Sequence, residues 1–153
     1  MPISPIGIVD NMSLLTELKS IDWNKQTMLQ TVKGKNADGT GRIANLKFKE
    51  EEYDQPLHDL PYLNHVMNHY NLKRTRLLNL RPGDCYSYHV DPTKRIHIPL
   101  VADEYCMAVI EDKVYRLPAD GTVYLVDTTK RHTFLNGGDY DRLHIVGVAP
   151  LLE

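Results

Sequence analysis

A chain of 153 residues, 42% hydrophobic and 25% charged, has ordinary globular composition and enough length for one domain with a real core. A formal net charge of −2 gives no electrostatic reason to expect a nucleic-acid backbone as partner, and no apolar run approaches the roughly 18 residues of a membrane span. Two cysteines, Cys85 and Cys106, are too few for a disulfide framework and are expected as reduced thiols, buried as small apolar side chains.

The opening stretch, MPISPIGIVDNMSLLTEL, lacks a basic segment followed by an apolar one, so the expectation is a cytoplasmic protein. Residues 13–20 (SLLTELKS) predict a short amphipathic helix, with Leu14, Leu15 and Leu18 at helical spacing and Ser13 as N-cap. Residues 33–42 (KGKNADGTGR) are polar and glycine-rich, hence a loop or hairpin tip. A second helix is expected from about Pro56 to Tyr70, with Leu63, Val66, Met67 and Tyr70 on one face and Pro61 near the first turn. His65 and His69 stand four apart on it, but no glutamate lies between them in the metalloprotease pattern. Together with His58 they read as helix-surface or packing residues.

From Thr75 onward the texture changes to short β-branched, aromatic and aliphatic runs punctuated by turn residues. Strands are expected near 76–80, 84–90, 95–101, 105–110, 113–117, 122–126, 132–136 and 142–148. Eight strands without an intervening helix predict a mainly β fold with N-terminal helices, a double-stranded β-helix of the cupin-like jelly-roll type. The expected organisation is one domain over 1–153, with mixed helical support in 1–75 and the jelly-roll core in 76–149.

Three side chains in this half suggest a metal. Residues i and i+2 of a strand face one side, so His89 and Asp91 point together at a strand end, with Pro92 taking the chain away. His132 opens a later strand after the polar DTTKR, and two imidazoles plus one carboxylate suit a non-haem Fe(II) site with open positions. An HxD pair alone recurs by chance; the distal residues add the weight. Arg142 opens the last strand, RLHIVGV, where an inward arginine is costly without an anion. A short Gly-Gly turn is expected to set the strands of His132 and Arg142 side by side, and the competing expectation for Arg142 is a surface pair with Asp139 or Asp141. Arg95 and His97 share one face of a further strand and suggest an anion in the barrel, although His97 also suits a satisfied core position.

These segments, LRPGDCYSYHVD, RIHIPL, GTVYLVDTTKRHTFLNGG and DRLHIVG, resemble the aspartyl/asparaginyl β-hydroxylase type of Fe(II)/2-oxoglutarate oxygenase, which includes bacterial proline hydroxylases. The resemblance covers roughly residues 76 to 149. Its most specific parts are the order of the motifs and the ten-residue step from His132 to Arg142. It implies Fe(II) on His89, Asp91 and His132, 2-oxoglutarate and O2 as co-substrates, and Arg142 on the distal carboxylate of 2-oxoglutarate. It also implies that Arg95 and His97 contact co-substrate or substrate carboxylates. The implied substrate is an amino acid, either free, such as proline, or an Asp, Asn or Pro residue of a partner protein. Leu78 departs from the resemblance, since some relatives carry a serine there. The rival expectation is a non-catalytic cupin-like module binding a small anion or a protein, which has no special use for Arg142.

Overall fold

The computed structural model describes residues 1–150. Eleven strands and two α-helices follow in the order β1 (Ile3–Ile8), α1 (Asn11–Leu18), β2 (Gln26–Met28), β3 (Gln30–Thr31), β4 (Gln55–Pro56), α2 (Pro61–His69), β5 (Lys73–Leu80), β6 (Arg95–Val101), β7 (Cys106–Ile110), β8 (Lys113–Tyr115), β9 (Thr122–Val126), β10 (His132–Asn136) and β11 (Arg142–Val148). A six-stranded antiparallel sheet runs β1-β9-β6-β11-β5-β2, and a three-stranded sheet runs β10-β7-β8. Leu80, Val126, Ala108, Ile110 and Phe134 meet in one apolar cluster, so the inner faces of the two sheets close on each other as a cupin-like jelly roll.

Strand alternation divides the large sheet. Leu77, Ile96, Ile98, Val123, Leu143 and Ile145 turn outward onto Leu14 and Leu18 of α1 and Leu63, Val66 and Met67 of α2. The opposite positions, Arg76, Leu78 and Leu80 of β5 and Arg95 and His97 of β6, face the small sheet, and most are polar. Burial of the helical face, at roughly 25 cal/mol per Å2 of apolar area, therefore makes the main core behind the sheet and leaves its inner face to polar groups.

The helices begin where their caps dictate. Asp10, not Ser13, is the N-cap of α1: its carboxylate accepts from the Ser13 amide at 3.1 Å and the Ser13 hydroxyl at 2.9 Å. Pro61 starts α2, as expected of a residue with no amide to donate. Glu17, from α1, accepts the free amides of Tyr62 at 2.9 Å and Leu63 at 2.8 Å, so one helix caps the other.

Strands 95–101, 122–126, 132–136 and 142–148 fall where the alternation put them. The sequence reading missed β1 to β4, and α2 starts at Pro61 rather than near Pro56, where β4 lies. Pro5 and Gly7 disguise β1, and a proline is tolerated there because β1 is an edge strand with a register shift between those two residues. Residues 84–90 do not form a regular strand. They run beside β10 through the isolated bridges Cys85↔Leu135 and His89↔His132. Cys85 is exposed rather than buried, whereas Cys106 is buried, and both are free thiols. The 137–141 segment also corrects an expectation: it crosses from one sheet to the other, so β10 pairs with β7 while β11 lies between β6 and β5. Among the described residues no helix is long and apolar enough to cross a membrane.

Gly121 sets the junction of β1 and β9. Its φ is +90°, and a Cβ there would stand 2.7 Å from the carbonyl oxygen of Val9. The Gly121→Ala substitution should lower unfolding free energy by about 1–3 kcal/mol through left-handed strain and this backbone clash. A urea midpoint equal to that of the parent protein would refute this account of the junction.

Candidate metal centre

His89 and His132 face each other as a hydrogen-bonded antiparallel pair: each amide donates to the other's carbonyl, at 3.0 Å and 2.8 Å. Directly opposite residues project to the same side, so the two imidazoles converge with ring centroids 4.5 Å apart. Asp91 lies two residues beyond His89, its amide held by the Thr128 carbonyl at 2.9 Å. Its carboxylate oxygens stand 3.5 Å from Nε2 of each histidine. One donor atom from each residue falls within 4.8 Å of the other two, an arrangement that can hold a metal ion.

The donor set fits such an ion in chemistry as well as spacing. Nδ1 of His89 lies 2.6 Å from the Ser87 carbonyl and Nδ1 of His132 lies 2.9 Å from the Lys130 carbonyl. A carbonyl can only accept, so each Nδ1 carries the proton and each Nε2 lone pair turns toward Asp91. Burial lowers the pKa of His132 below its ordinary value, which keeps the ring neutral and able to ligate. Bonds of about 2.1 Å to a small octahedral ion put adjacent donors about 3 Å apart, so the 3.5 Å separations need only a small contraction.

The triad opens onto a cavity of about 570 Å3 between the sheets. His97 lines it, stacked on Phe134 with centroids 4.6 Å apart and Nδ1 at 3.0 Å from Nδ1 of His144. One imidazole of that pair donates and the other accepts. Arg95 also lines the cavity, but it is already engaged: it donates to the Thr93 hydroxyl at 2.6 Å, pairs with Glu50 at 3.0 Å and approaches Asp91 at 3.6 Å. Glu50 in turn holds Arg74 at 2.8 Å, and Arg74 donates to the carbonyls of Gly39 and Gly41.

Arg142 is 1% exposed, and none of its three guanidinium nitrogens has a hydrogen-bond acceptor. It does not meet Asp139 or Asp141; Asp141 accepts from Asn79 instead. Nor does it line the large cavity. It lines a separate void of about 10 Å3 beside Cys106 and His144, and Phe134, 5.5 Å from the guanidinium, is the one residue common to both spaces. Burial lowers its pKa, against a partial offset from the nearby Tyr86 phenol, which does not reach hydrogen-bond geometry.

Sequence reasoning did not single out Glu50, Arg76 or Phe134. Glu50 is hidden in an acidic run that reads as a solvated face. Arg76 was detectable, because it shares an alternating face with Leu78 and Leu80 and is out of place there. His65 and His69 are exposed on α2, with ring centroids 6.3 Å apart and away from the triad, as the helix reading expected.

The profile of the aspartyl/asparaginyl beta-hydroxylase family matches residues 10–147, and the chain belongs to that family. No curated protein matches significantly. Among solved structures, a predicted oxalate decarboxylase from Thermotoga maritima aligns with a TM-score of 0.44 at 19% identity, over 55% of this chain and 71% of the other.

The paired histidines behind the cavity give the fold a pH dependence. Burial is the first cause that holds His97 and His144 well below 6.5, with Arg142 nearby adding to it. The unfolded chain takes up protons near pH 6.5 and the folded one does not. Their contribution is thus whole above pH 6.5 and is lost as the pH falls toward the folded values. Unfolding free energy should fall by up to about 1.4 kcal/mol per pH unit for each ring, and His144→Gln should flatten the profile. A urea midpoint that stays constant from pH 7 to 5.5 would contradict the neutral pair.

Proposed function

We propose that this member of the aspartyl/asparaginyl beta-hydroxylase family is an Fe(II)- and 2-oxoglutarate-dependent dioxygenase that hydroxylates an amino-acid substrate. The observation that carries the reading is the His89, Asp91 and His132 cluster, with its two Nε2 lone pairs and one carboxylate turned to a common point at the cavity wall. Three protein donors on one side of an ion leave positions for a bidentate 2-oxo acid and for O2. Bound iron would supply the oxygen chemistry, with 2-oxoglutarate decarboxylated to succinate and a C–H bond of the substrate oxidised.

The chain's own residues do the rest. Carbonyls of Ser87 and Lys130 fix the histidine tautomers, and Arg95 holds Asp91 from behind. Arg142 suits the distal carboxylate of 2-oxoglutarate, because a buried guanidinium with unused donors gains most from a charge-assisted, bidentate partner. Phe134, which lines both spaces, and Tyr86, which lines the large cavity, stand beside Arg142 on that side. His97, neutral and at the same wall, donates or accepts a hydrogen bond there without adding charge. Leu78, Tyr86, Phe134 and Val146 supply the apolar part of a wall that is otherwise polar.

Anaerobic addition of Fe(II) and then 2-oxoglutarate should give a weak visible charge-transfer band, and His132→Ala should abolish it while the protein stays folded. Arg142→Ala should weaken 2-oxoglutarate binding by about tenfold or more, the scale of a lost charge-assisted pair. A band of undiminished intensity in the His132→Ala protein, or no band in the parent, would overturn the reading in favour of a non-catalytic anion-binding module.

A further inference from the structure

The four guanidiniums that line the large cavity are not equally occupied. Arg74 is satisfied by Glu50 and two backbone carbonyls, and Arg95 by Glu50, Thr93 and Asp91. Arg76 makes one bond, from Nη1 to the Gln26 side-chain oxygen at 3.1 Å, and its Nε has no acceptor. That glutamine oxygen also accepts from the Gly41 amide at 2.9 Å, so it has little more to give. Arg76 is nevertheless only 7% exposed. Cross-strand register explains why it faces inward: Arg76 on β5 stands opposite Val146 on β11, which stands opposite His97 on β6, so all three share the inner face.

Charge counting points the same way. Arg42, Arg74, Arg76 and Arg95 bring four positive charges to the cavity, while Asp91 and the adjoining Glu50 bring two negative ones. Burial, then repulsion from Arg74 and Arg95, lowers the Arg76 pKa to about 9, so it still carries its proton at neutral pH. Glu50 attracts it only at a distance, and a protonated guanidinium held among like charges, with unused donors and no carboxylate in direct contact, is costly unless the site's own ligand is an anion.

We propose that Arg76, backed by Gln26 and Arg42, is an anion subsite that receives the free carboxylate of a small-molecule substrate, an inference that rests on the hydroxylase reading above. Arg95, the sequence-based candidate for this task, is already occupied by Glu50 and Asp91. Arg142 is walled off by Phe134 and suits the co-substrate. Arg76 is 7% exposed at the cavity wall, a position suited to a terminal carboxylate, with exposed Arg42 at the edge of the glycine-rich loop as a second cation on the approach. A cavity of about 570 Å3 matches the size of small-molecule sites.

The test is anaerobic calorimetry on the Fe(II)- and 2-oxoglutarate-loaded protein, titrated with the twenty L-amino acids and with their C-terminal amides. At least one free acid should bind, and its amide should bind about tenfold more weakly or worse. Arg76→Gln should lose that acid by a similar factor while its 2-oxoglutarate charge-transfer band stays intact. Arg42→Gln, at an exposed position, should weaken the acid by a few fold and serves if Arg76→Gln does not fold. Equal binding of acid and amide, binding of none of the twenty acids, or loss of the band in place of acid binding in Arg76→Gln would each overturn the subsite. Absence of the band in the parent protein would instead sink the hydroxylase reading, and titration of the metal-free protein would then decide the subsite alone.

Discussion

The buried carboxylate of Glu50 is the tie on which the rest of the interior depends. It lies between Arg74 and Arg95, with nitrogen–oxygen distances of 2.8 Å and 3.0 Å. Without it two guanidiniums would face each other inside the sheet, and removal of one partner from a buried ionic cluster of this kind costs about 3–5 kcal/mol. The tie also carries geometry. Through Arg74 it pins the backbone carbonyls of Gly39 and Gly41, the latter at the cavity, and through Arg95 it reaches the carboxylate of Asp91. A residue from the N-terminal half, distant in sequence from the His89, Asp91 and His132 cluster, thus helps to place the Asp91 carboxylate and the glycine-rich loop at the cavity edge.

The two faces of the large sheet have different tasks. The helix-covered face is mainly aliphatic and carries the hydrophobic effect. The inner face carries arginines and histidines, whose cost is met by hydrogen bonds, ring stacking and the Glu50 tie. Among the arginines and histidines of the described inner face, Arg142 and Arg76 are those with buried donors left without an acceptor. Both open positions are cationic, and both suit carboxylates, which is the chemistry a 2-oxo acid and an amino acid share.

Much of this was legible in the sequence from residue 95 onward. Four strands had their limits readable from alternation because each is bounded by turn residues and one face is buried. The triad could be read because His89 and Asp91 obey the two-residue period and His132 starts a strand after a polar approach. What could not be read depends on partners remote in the chain. Asp10 displaced Ser13 as a cap by a choice between adjacent capping residues, and β1 was masked by a proline that only an edge strand tolerates. The spatial relation of Arg142 to His132 failed as an inference because a short glycine turn can cross between sheets as well as close a hairpin. Glu50 had no local signal at all, since its role exists only when residues 24 and 45 positions later in the chain arrive beside it.

Placing the aliphatic core behind the sheet has an evolutionary corollary. Cavity side chains outside the Glu50 tie, such as Arg42, Leu78 and Val90, contribute little to cohesion, so several can be exchanged together without dismantling the scaffold. New selectivity is then reachable by few steps, each retaining a foldable intermediate. For the protein engineer, the cavity wall outside the Glu50, Arg74 and Arg95 tie is the region in which libraries can be broad, and the tie and the helix-backed layer are the regions to leave alone.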